Sequence, residues 1–184
     1  MIVYAGRIDS EKRAEVVVEA FLRLPVKLRA FLALIGDGQL RAPLAQRLAR
    51  HRAVLPGFVH DRGELAQWLA SADIYASAMA NETFGISIIE AQASGLPVVG
   101  VAAGAMIDRV RPHIGRIGPP DDAEAMAQNI IDVWSGDHQA MAEASLHHAQ
   151  QFCWSHSMAA LFGELYPRAL AIAARRGGVA DRAA

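Results

Sequence analysis

Two carboxylates, Glu82 and Glu90, lie eight positions apart in a segment that joins two predicted buried strands through a helix. We expect that helix to begin near Gly85. The first N–H groups of a helix lack partners and carry a partial positive charge, so the amides of Phe84, Gly85 and Ile86 form a candidate anion site. Carboxylates flanking such amides suit a ligand with hydroxyl groups at its ends and phosphates in the middle. A sugar nucleotide has this layout.

These residues also have a purely structural explanation. A glutamate in the first turn of a helix is commonly a favourable partner of the helix dipole. Two glutamates at a fixed spacing are a weak signal by themselves. The spacing alone therefore favours the structural explanation, and the functional one needs support from other residues.

Arg7 and Lys12 follow the first predicted strand, Ile2–Ala5. The planar guanidinium of an arginine donates two parallel hydrogen bonds and a lysine supplies a point charge, so together the two side chains suit a diphosphate. Most lysines and arginines are exposed, and two solvated surface cations are the more frequent outcome for such a loop.

The residues from Glu90 to Val99 read E-A-Q-A-S-G-L-P-V-V. With Glu82 upstream, this run resembles the retaining glycosyltransferases of family 4, the E-x7-E type with the GT-B fold, whose usual pattern is E-A-x-A-x-G-x-P-V-V. The resemblance implies that Glu82 lies beside the donor sugar and that Glu90 binds the ribose hydroxyls. It also implies that the amides following Phe84 face the diphosphate and the sugar.

Two glycine-containing loops resemble further donor-binding motifs of that family. The loop from Gly6 to Lys12, G-R-I-D-S-E-K, is similar to its first motif, whose arginine and lysine neutralise the phosphate leaving group. The resemblance gives this role to Arg7 and Lys12 and assigns Gly6 to donor binding. Gly36 opens a G-D-G-x-L turn that lines the nucleotide cleft in the family, although a tight strand-to-helix turn equally explains it.

Asp61 is a candidate for reading the nucleobase. In the family the backbone at the positions of Phe58 and Val59 lies against the base, and a nearby polar residue contacts its edge. A carboxylate accepts hydrogen bonds from N1 and N2 of guanine, which favours GDP. Asp61 could equally cap a helix that begins near Gly63.

After Val101 the sequence departs from the family pattern. The usual G-G-x-x-E segment retains Gly104, but Ala105 replaces the second glycine and Asp108 replaces the glutamate. These differences bear on the shape of the sugar pocket more than on the fold.

The chain has 184 residues, of which 53% are hydrophobic and 20% charged, enough for one well-packed domain. Its net charge of −1 disfavours nucleic acid as a partner.

The single cysteine, Cys153, excludes an internal disulfide framework, fits a reducing cytosol and is predicted to be a small core residue. The histidines form no pair at the i, i+4 spacing of a helical metal site, so we predict no metal and no cofactor. The sequence contains no apolar run of roughly 18 residues, the length that a membrane-spanning helix needs. We therefore predict a cytoplasmic protein, and peripheral membrane contact by the full-length protein stays open.

The predicted elements alternate between strands and helices. This order predicts a doubly wound, Rossmann-like α/β domain with a mostly parallel sheet and a ligand at the carboxyl ends of its strands. The resemblance makes it the C-terminal half of a GT-B fold, with residues 1–176 as the nucleotide-sugar donor-binding domain and 177–184 as a flexible tail.

Predicted strands lie at 2–5, 30–35, 73–78 and 96–101 and within 53–61. Predicted helices lie near 16–24, 39–51, 64–69, 85–95, 122–134, 139–151 and 155–175. Predicted aromatic and apolar core anchors near the end are Phe152, Trp154, Leu161 and Tyr166.

The resemblance implies the donor-binding half of a retaining glycosyltransferase, which moves a hexose from a nucleotide-diphosphate sugar to a glycan or lipid acceptor. GDP-mannose is the first expected donor, followed by UDP-glucose or a UDP-hexosamine. The acceptor site would belong to an N-terminal domain absent from this chain, so we expect the chain alone to bind nucleotide weakly and transfer no sugar. Two alternatives stay open: a non-catalytic nucleotide- or anion-binding module, and a fragment of a GT-B sugar-nucleotide epimerase, which the run after Glu90 disfavours.

Overall fold

An α/β unit is followed in the chain by a helical unit. The computed structural model describes the backbone of residues 1–180 and the side chains of residues 1–175. The two compact units are Met1–Ala149 and Gln150–Ala184. The predicted domain of residues 1–176 extends into the second unit. The predicted tail of residues 177–184 lies outside the described side chains, and its last four residues lie outside the described backbone.

The sheet of the first unit is built from six parallel strands: β1 (Ile2–Ala5), β2 (Leu32–Ile35), β3 (Ala53–Gly57), β4 (Ile74–Ala76), β5 (Val98–Val101) and β6 (Gly115–Gly118). Their spatial order is β3-β2-β1-β4-β5-β6. Ile2 of β1 is in register with Leu32 of β2 and with Ile74 of β4. The strand order therefore reverses between β1 and β4, which opens a crevice at the carboxyl ends of these strands. The predicted doubly wound, Rossmann-like fold is confirmed.

Helices connect successive strands: α1 (Ala14–Arg23), α2 (Arg41–Leu48), α3 (Arg62–Ala70), α4 (Ile86–Ala93) and α5 (Met106–Arg109), with a 3-10 turn at Val26–Leu28 before β2. Helices α6 (Ala123–Trp134) and α7 (His138–Gln150) follow β6. Local signals explain several of their boundaries. Helix α1 ends before Pro25, which cannot continue a helix. Asp122 caps α6, because its Oδ1 accepts from Ala125 N at 2.9 Å. Helix α4 begins after Gly85, as predicted.

Apolar side chains cover both faces of the sheet. On one face Tyr4 belongs to a cluster with Phe21 of α1 and Ile130 of α6. On the other face Tyr75 belongs to a cluster with Ile88 of α4. Because both faces are covered, the central strands are continuous apolar runs rather than alternating ones. This core fixes the ends of β1 and β4, from which the loops of the candidate site emerge.

Strand β6 and helix α5 are absent from the predicted elements. Strand β6 begins and ends with glycine, which is unfavourable in strands because it has no side chain to pack. The strand forms through its pairing with β5, in which Gly115 lies opposite Val98. A Cβ at Gly115 would lie 2.0 Å from the carbonyl oxygen of Val98, so this approach of the two strands requires glycine.

The second unit contains α8 (Trp154–Ala160) and α9 (Tyr166–Ala180), joined by a π-helical turn at Leu161–Leu165. Pro167 lies just after that turn. Proline lacks an N–H and its ring clashes with the carbonyl four residues earlier, so the wider turn accommodates it.

The predicted core positions in the second unit are largely wrong. Trp154 and Tyr166 are 79% and 56% exposed, and Cys153 is also exposed; Phe152 and Leu161 are half-buried. A helix can bury an apolar stripe only against a second layer. The described part of this unit consists mostly of α8, the π-helical turn and α9, which follow one another without a break. Among the described residues, no helix combines the length and apolarity needed to cross a membrane.

Gly115→Ala is expected to destabilise the first unit by about 2–3 kcal/mol, because the added methyl group would overlap the Val98 carbonyl oxygen. Chemical denaturation followed by circular dichroism measures the change. Gly63→Ala is the matched control. A Cβ at Gly63 would lie 3.0 Å from Asp61 Oδ1, an atom at the end of a side chain. The free energy of unfolding of this variant should change by less than about 1 kcal/mol. Unchanged stability of Gly115→Ala would contradict the observed pairing of β5 and β6.

Candidate functional site

One ion pair bridges the loops that follow β1 and β4. Lys12 Nζ, in the first loop, lies 3.0 Å from Glu82 Oε2, in the second. The two side chains are 25% and 15% exposed, so water screens the pair less than it would at the surface. The pair occupies the crevice where the strand order reverses, which is where open α/β sheets bind ligands. The structure thus brings together two of the three predicted catalytic residues.

Glu82 is held in its ionised form. Burial raises its pKa, but the hydrogen bond and charge of Lys12 and the amides of Gly85 and Phe84 outweigh burial and lower the pKa below the ordinary value of glutamate. Gly85 N donates to Glu82 Oε1 at 3.1 Å. Glu82 therefore carries a negative charge at neutral pH beside the Lys12 cation.

The predicted anion site at the start of α4 is only partly open. Gly85 is left-handed, with φ of 79°, and its N–H is directed at Glu82 rather than at the cleft. Ile86 and Ser87 precede the first helical hydrogen bond, from Ile88 N to Gly85 O at 3.1 Å. Because both residues line the cleft, their N–H groups are the ones best placed for an anion.

Two adjoining cavities form one cleft along the carboxyl ends of the strands. They measure about 390 and 410 Å³ and share Ala5, Gly6, Ser87 and Glu90. The first is the more polar of the two and is called the polar cavity below. Its further lining includes Tyr4, Lys12, Tyr75, Ser77, Glu82, Thr83 and residues 84–86. The second is mostly apolar, and its further lining is Arg7, Ile35, Gly36, Asp37, Phe58, Val59 and Leu65.

Glu90 lies in the wall that the two cavities share. It is half-buried, and its carboxylate makes no hydrogen bond or ion pair with any residue in 1–175. Such a carboxylate is able to accept hydrogen bonds from ligand hydroxyl groups. Among the described residues, no group of three His, Cys, Asp or Glu side chains could hold a metal ion.

Gly6 and Gly36 bring the loops after β1 and β2 into backbone contact. A Cβ at Gly36, where φ is 132°, would lie 1.9 Å from Gly6 O. Gly6 N donates to Ile35 O at 3.0 Å, and Gly36 N donates to Gly57 O at 2.8 Å. This packing alone explains a glycine at position 36. Both glycines line the cleft, and their role in donor binding stays a prediction.

Arg7 and Asp61 already have local partners. Arg7 is largely exposed, lies 3.0 Å from Asp9 and also pairs with Glu11. Asp61 caps α3, with Oδ1 accepting from Glu64 N at 2.7 Å. The cap is one of the two roles predicted for Asp61 and is confirmed. Base reading by Asp61 and contact of Arg7 with a leaving group stay predictions.

Sequence reasoning missed several residues of the polar cavity, among them Tyr4, Tyr75 and Ser87. Tyr75 donates to Ala5 O at 3.1 Å, and burial raises its pKa to about 12, so its hydroxyl stays neutral. The tyrosines lie in apolar runs, which indicate core positions and carry no sign of a cleft. Ser87 does carry a signal, because it is a polar residue in the first turn after Gly85.

Curated relatives are longer than this chain. A D-inositol 3-phosphate glycosyltransferase from Jonesia denitrificans is 35% identical over 173 residues, which cover 85% of this chain and 40% of the relative. A GDP-mannose-dependent alpha-(1-6)-phosphatidylinositol dimannoside mannosyltransferase from Mycobacterium tuberculosis is 28% identical over 184 residues, which cover 100% of this chain and 48% of the relative. The chain therefore spans less than half the length of these two relatives.

Solved structures share the fold of the chain. Sucrose-phosphate synthase from Thermosynechococcus elongatus has a TM-score of 0.78 and 27% identity over 93% of this chain and 45% of its own. Anabaena HepE in complex with UDP and glucose has a TM-score of 0.69 and 26% identity over 82% of this chain and 43% of its own. The C-terminal domain of a glycosyl transferase group 1 family protein from Francisella tularensis, at 22% identity, has a TM-score of 0.70 over 82% of this chain and 84% of its own.

The family model for glycosyl transferases group 1 matches residues 1–136. The matched part contains all the strands of the sheet, the ion pair between Lys12 and Glu82 and both cavities of the cleft. The predicted resemblance is thereby confirmed. The family model covers most of the chain, and the chain has the fold of a GT-B C-terminal domain. This chain therefore belongs to the family of glycosyl transferases group 1.

Proposed function

We propose that this chain is the donor-binding half of a retaining glycosyltransferase, which moves a hexose from a nucleotide-diphosphate sugar to a glycan or lipid acceptor. The observation that carries the proposal is the contact of 3.0 Å between Lys12 and Glu82 in the crevice between β1 and β4. It holds a cation and an anion at the polar end of the cleft. A nucleotide sugar offers a diphosphate, which suits the cation, and sugar hydroxyls, which suit the carboxylate.

The two cavities suit different parts of this ligand. We assign the nucleobase to the apolar cavity, beside the exposed ring of Phe58 and the backbone of Val59. The ribose would contact Glu90, which lies in the shared wall and has a carboxylate able to accept from its hydroxyls. The diphosphate and the hexose would then occupy the polar cavity with Lys12 and Glu82.

Charge development during sugar transfer gives Lys12, Arg7 and Glu82 distinct roles. Departure of the diphosphate places negative charge on its oxygens and positive charge on the sugar ring. Lys12 stabilises the departing group. Arg7 adds to this after leaving Asp9 and Glu11, which hold it weakly because water screens its largely exposed guanidinium. The ionised Glu82 orients the hexose and favours positive charge nearby. Because Lys12 and Glu82 hold each other in place, these charges act with little reorganisation and need no metal or cofactor.

We propose GDP-mannose as the first donor and a UDP-hexose as the second. The relative from Mycobacterium tuberculosis is named for GDP-mannose, whereas HepE was solved with UDP and glucose. The cap of α3 uses only Oδ1 of Asp61, so Oδ2 is left to accept from N1 and N2 of guanine.

The acceptor is proposed to bind outside this chain. The chain spans less than half of the curated relatives above, so we assign the acceptor site to an N-terminal domain of a longer cytoplasmic protein. Contact of that longer protein with a membrane surface would give access to a lipid acceptor. The rival proposal is a nucleotide-binding module that uses the same cleft without transfer.

Glu90→Ala and Lys12→Ala are each expected to weaken binding of the preferred nucleoside diphosphate by about 1–3 kcal/mol, the scale of a hydrogen bond to a charged group. Calorimetric titration with GDP and with UDP measures the loss and identifies the base. Lys27→Ala is the control, because it removes an exposed lysine that precedes β2. It should leave the affinity unchanged. Binding of neither nucleotide to the unsubstituted chain would contradict the proposed donor site.

Glu82→Gln is expected to lower the free energy of unfolding at pH 7 by about 0.5–1 kcal/mol, the scale of a partly exposed ion pair. Because the pKa of Glu82 is lowered on folding, its carboxylate contributes fully above the ordinary value of 4.5, and this contribution is lost as pH falls through the lowered value. Denaturant titrations from pH 7 to about pH 3 should therefore show the two proteins converging in acid. A constant difference at every pH would argue against an ionised, paired Glu82.

The chain alone is expected to transfer no hexose, because the proposed acceptor site lies on another domain. Incubation with radiolabelled GDP-mannose or UDP-glucose and a glycan or lipid acceptor, followed by chromatography, tests this. The same assay on a longer protein that includes the N-terminal domain is the positive control. Transfer by the chain alone would contradict the assignment of the acceptor site, and nucleotide binding without transfer by the longer protein would favour the rival module.

A further inference from the structure

Helix α5 contacts the loop that carries Glu82. Arg109, its last residue, donates from Nε to Phe84 O at 3.2 Å, and its Cζ lies 4.9 Å from the centroid of the Phe84 ring. Ala105, just before α5, donates from its N–H to Glu82 O at 2.7 Å. Two carbonyl groups of the loop are thus held from the same short helix and the turn before it.

Arg109 is itself fixed by buried contacts. Gln92 of α4 is fully buried, and its Nε2 donates to Arg109 O at 2.7 Å. Met106, one turn earlier in α5, is also fully buried, and its sulfur lies only 2.6 Å from where a Cβ at Gly100 of β5 would be. Because α5 is anchored to both α4 and β5, the side chain of Arg109 extends from a fixed backbone.

The bond from Arg109 to Phe84 O also orients the next amide. Phe84 C=O and Gly85 N–H belong to one planar trans peptide, in which the two groups point in opposite directions. Holding the carbonyl on Arg109 therefore directs Gly85 N–H to the other side, where it donates to Glu82 Oε1 at 3.1 Å. Glycine readily adopts other backbone conformations, so this peptide needs a contact that selects one of them.

We propose that Arg109, anchored by Gln92, is a positioning residue for Glu82. It acts through the Phe84–Gly85 peptide, whose N–H fixes one carboxylate oxygen of Glu82 while the other oxygen meets Lys12. The use of this arrangement in sugar transfer rests on the proposed function. The arrangement itself exists without a ligand and is tested without one.

Three substitutions separate positioning from a general effect of charge. Arg109→Met keeps the length and the apolar stem but removes the donor to Phe84. Gln92→Met removes the anchor at similar volume and changes no charge. Arg111→Met is the matched control, because it removes an arginine two positions away that is 54% exposed and pairs with Asp108 at 3.9 Å.

NMR on the ligand-free chain tests the positioning. In Arg109→Met the Gly85 amide should exchange with solvent about tenfold faster, since the hydrogen bond that protects it is loosened, and the Glu82 carboxyl should titrate at higher pH. Gln92→Met should shift both measurements in the same direction, and Arg111→Met should shift neither. Unchanged exchange in Arg109→Met, or an equal effect of Arg111→Met, would overturn the proposal. No effect of Gln92→Met would overturn the role of Gln92.

Calorimetric titration with GDP and UDP tests the use of this arrangement. Arg109→Met should bind about tenfold more weakly, as for the loss of one hydrogen bond to a charged group, whereas Arg111→Met should bind normally. Unaltered melting temperatures would show that the loss is not unfolding. If the unsubstituted chain binds neither nucleotide while the Gly85 and Glu82 signals still shift, the proposed function fails and the positioning stands. If it binds and those signals do not shift, the positioning fails and the proposed function stands.

Discussion

The reversal of strand order between β1 and β4 is the constraint on which the site depends. On the two sides of this point the connections leave toward opposite faces of the sheet, so the loops diverge and a crevice opens. Lys12 and Glu82 are 70 positions apart in sequence and meet across this crevice, at the ends of strands held in register by Ile2 and Ile74. The contact that we propose for catalysis is therefore a product of the pairing of the two central strands.

Elements with a local signal could be predicted from the sequence, whereas elements that depend on a partner could not. Strands such as β1 and β5 are apolar runs of the length expected for a sheet covered on both faces, and α4 lies between two glycines. Strand β6 has glycine at both ends, and α5 is a single turn, so neither carries a periodic pattern. Trp154 and Tyr166 have the spacing of core residues, but spacing does not reveal whether a second layer exists to cover them.

In the site too, features with a local signal could be predicted from the sequence, whereas contacts between distant residues could not. The start of α4 could be predicted because a helix terminus and its preceding glycine are local features. That Glu82 occupies the Gly85 amide, and so leaves only part of that terminus open, depends on the path of the loop in three dimensions. Arg109 carries no signal of its role, because it is 25 positions from Phe84 and is one of many arginines in the chain.

The backbone contact between Gly36 and Gly6 has a consequence for protein engineering. Because no side chain fits at position 36, that wall of the cleft cannot be reshaped without moving the loop that also carries Lys12. The loop between β3 and α3 has no such restriction, and Phe58 in it is exposed. A library that aims to exchange the donor base should therefore vary that loop alone, which would leave the charges around the diphosphate in place.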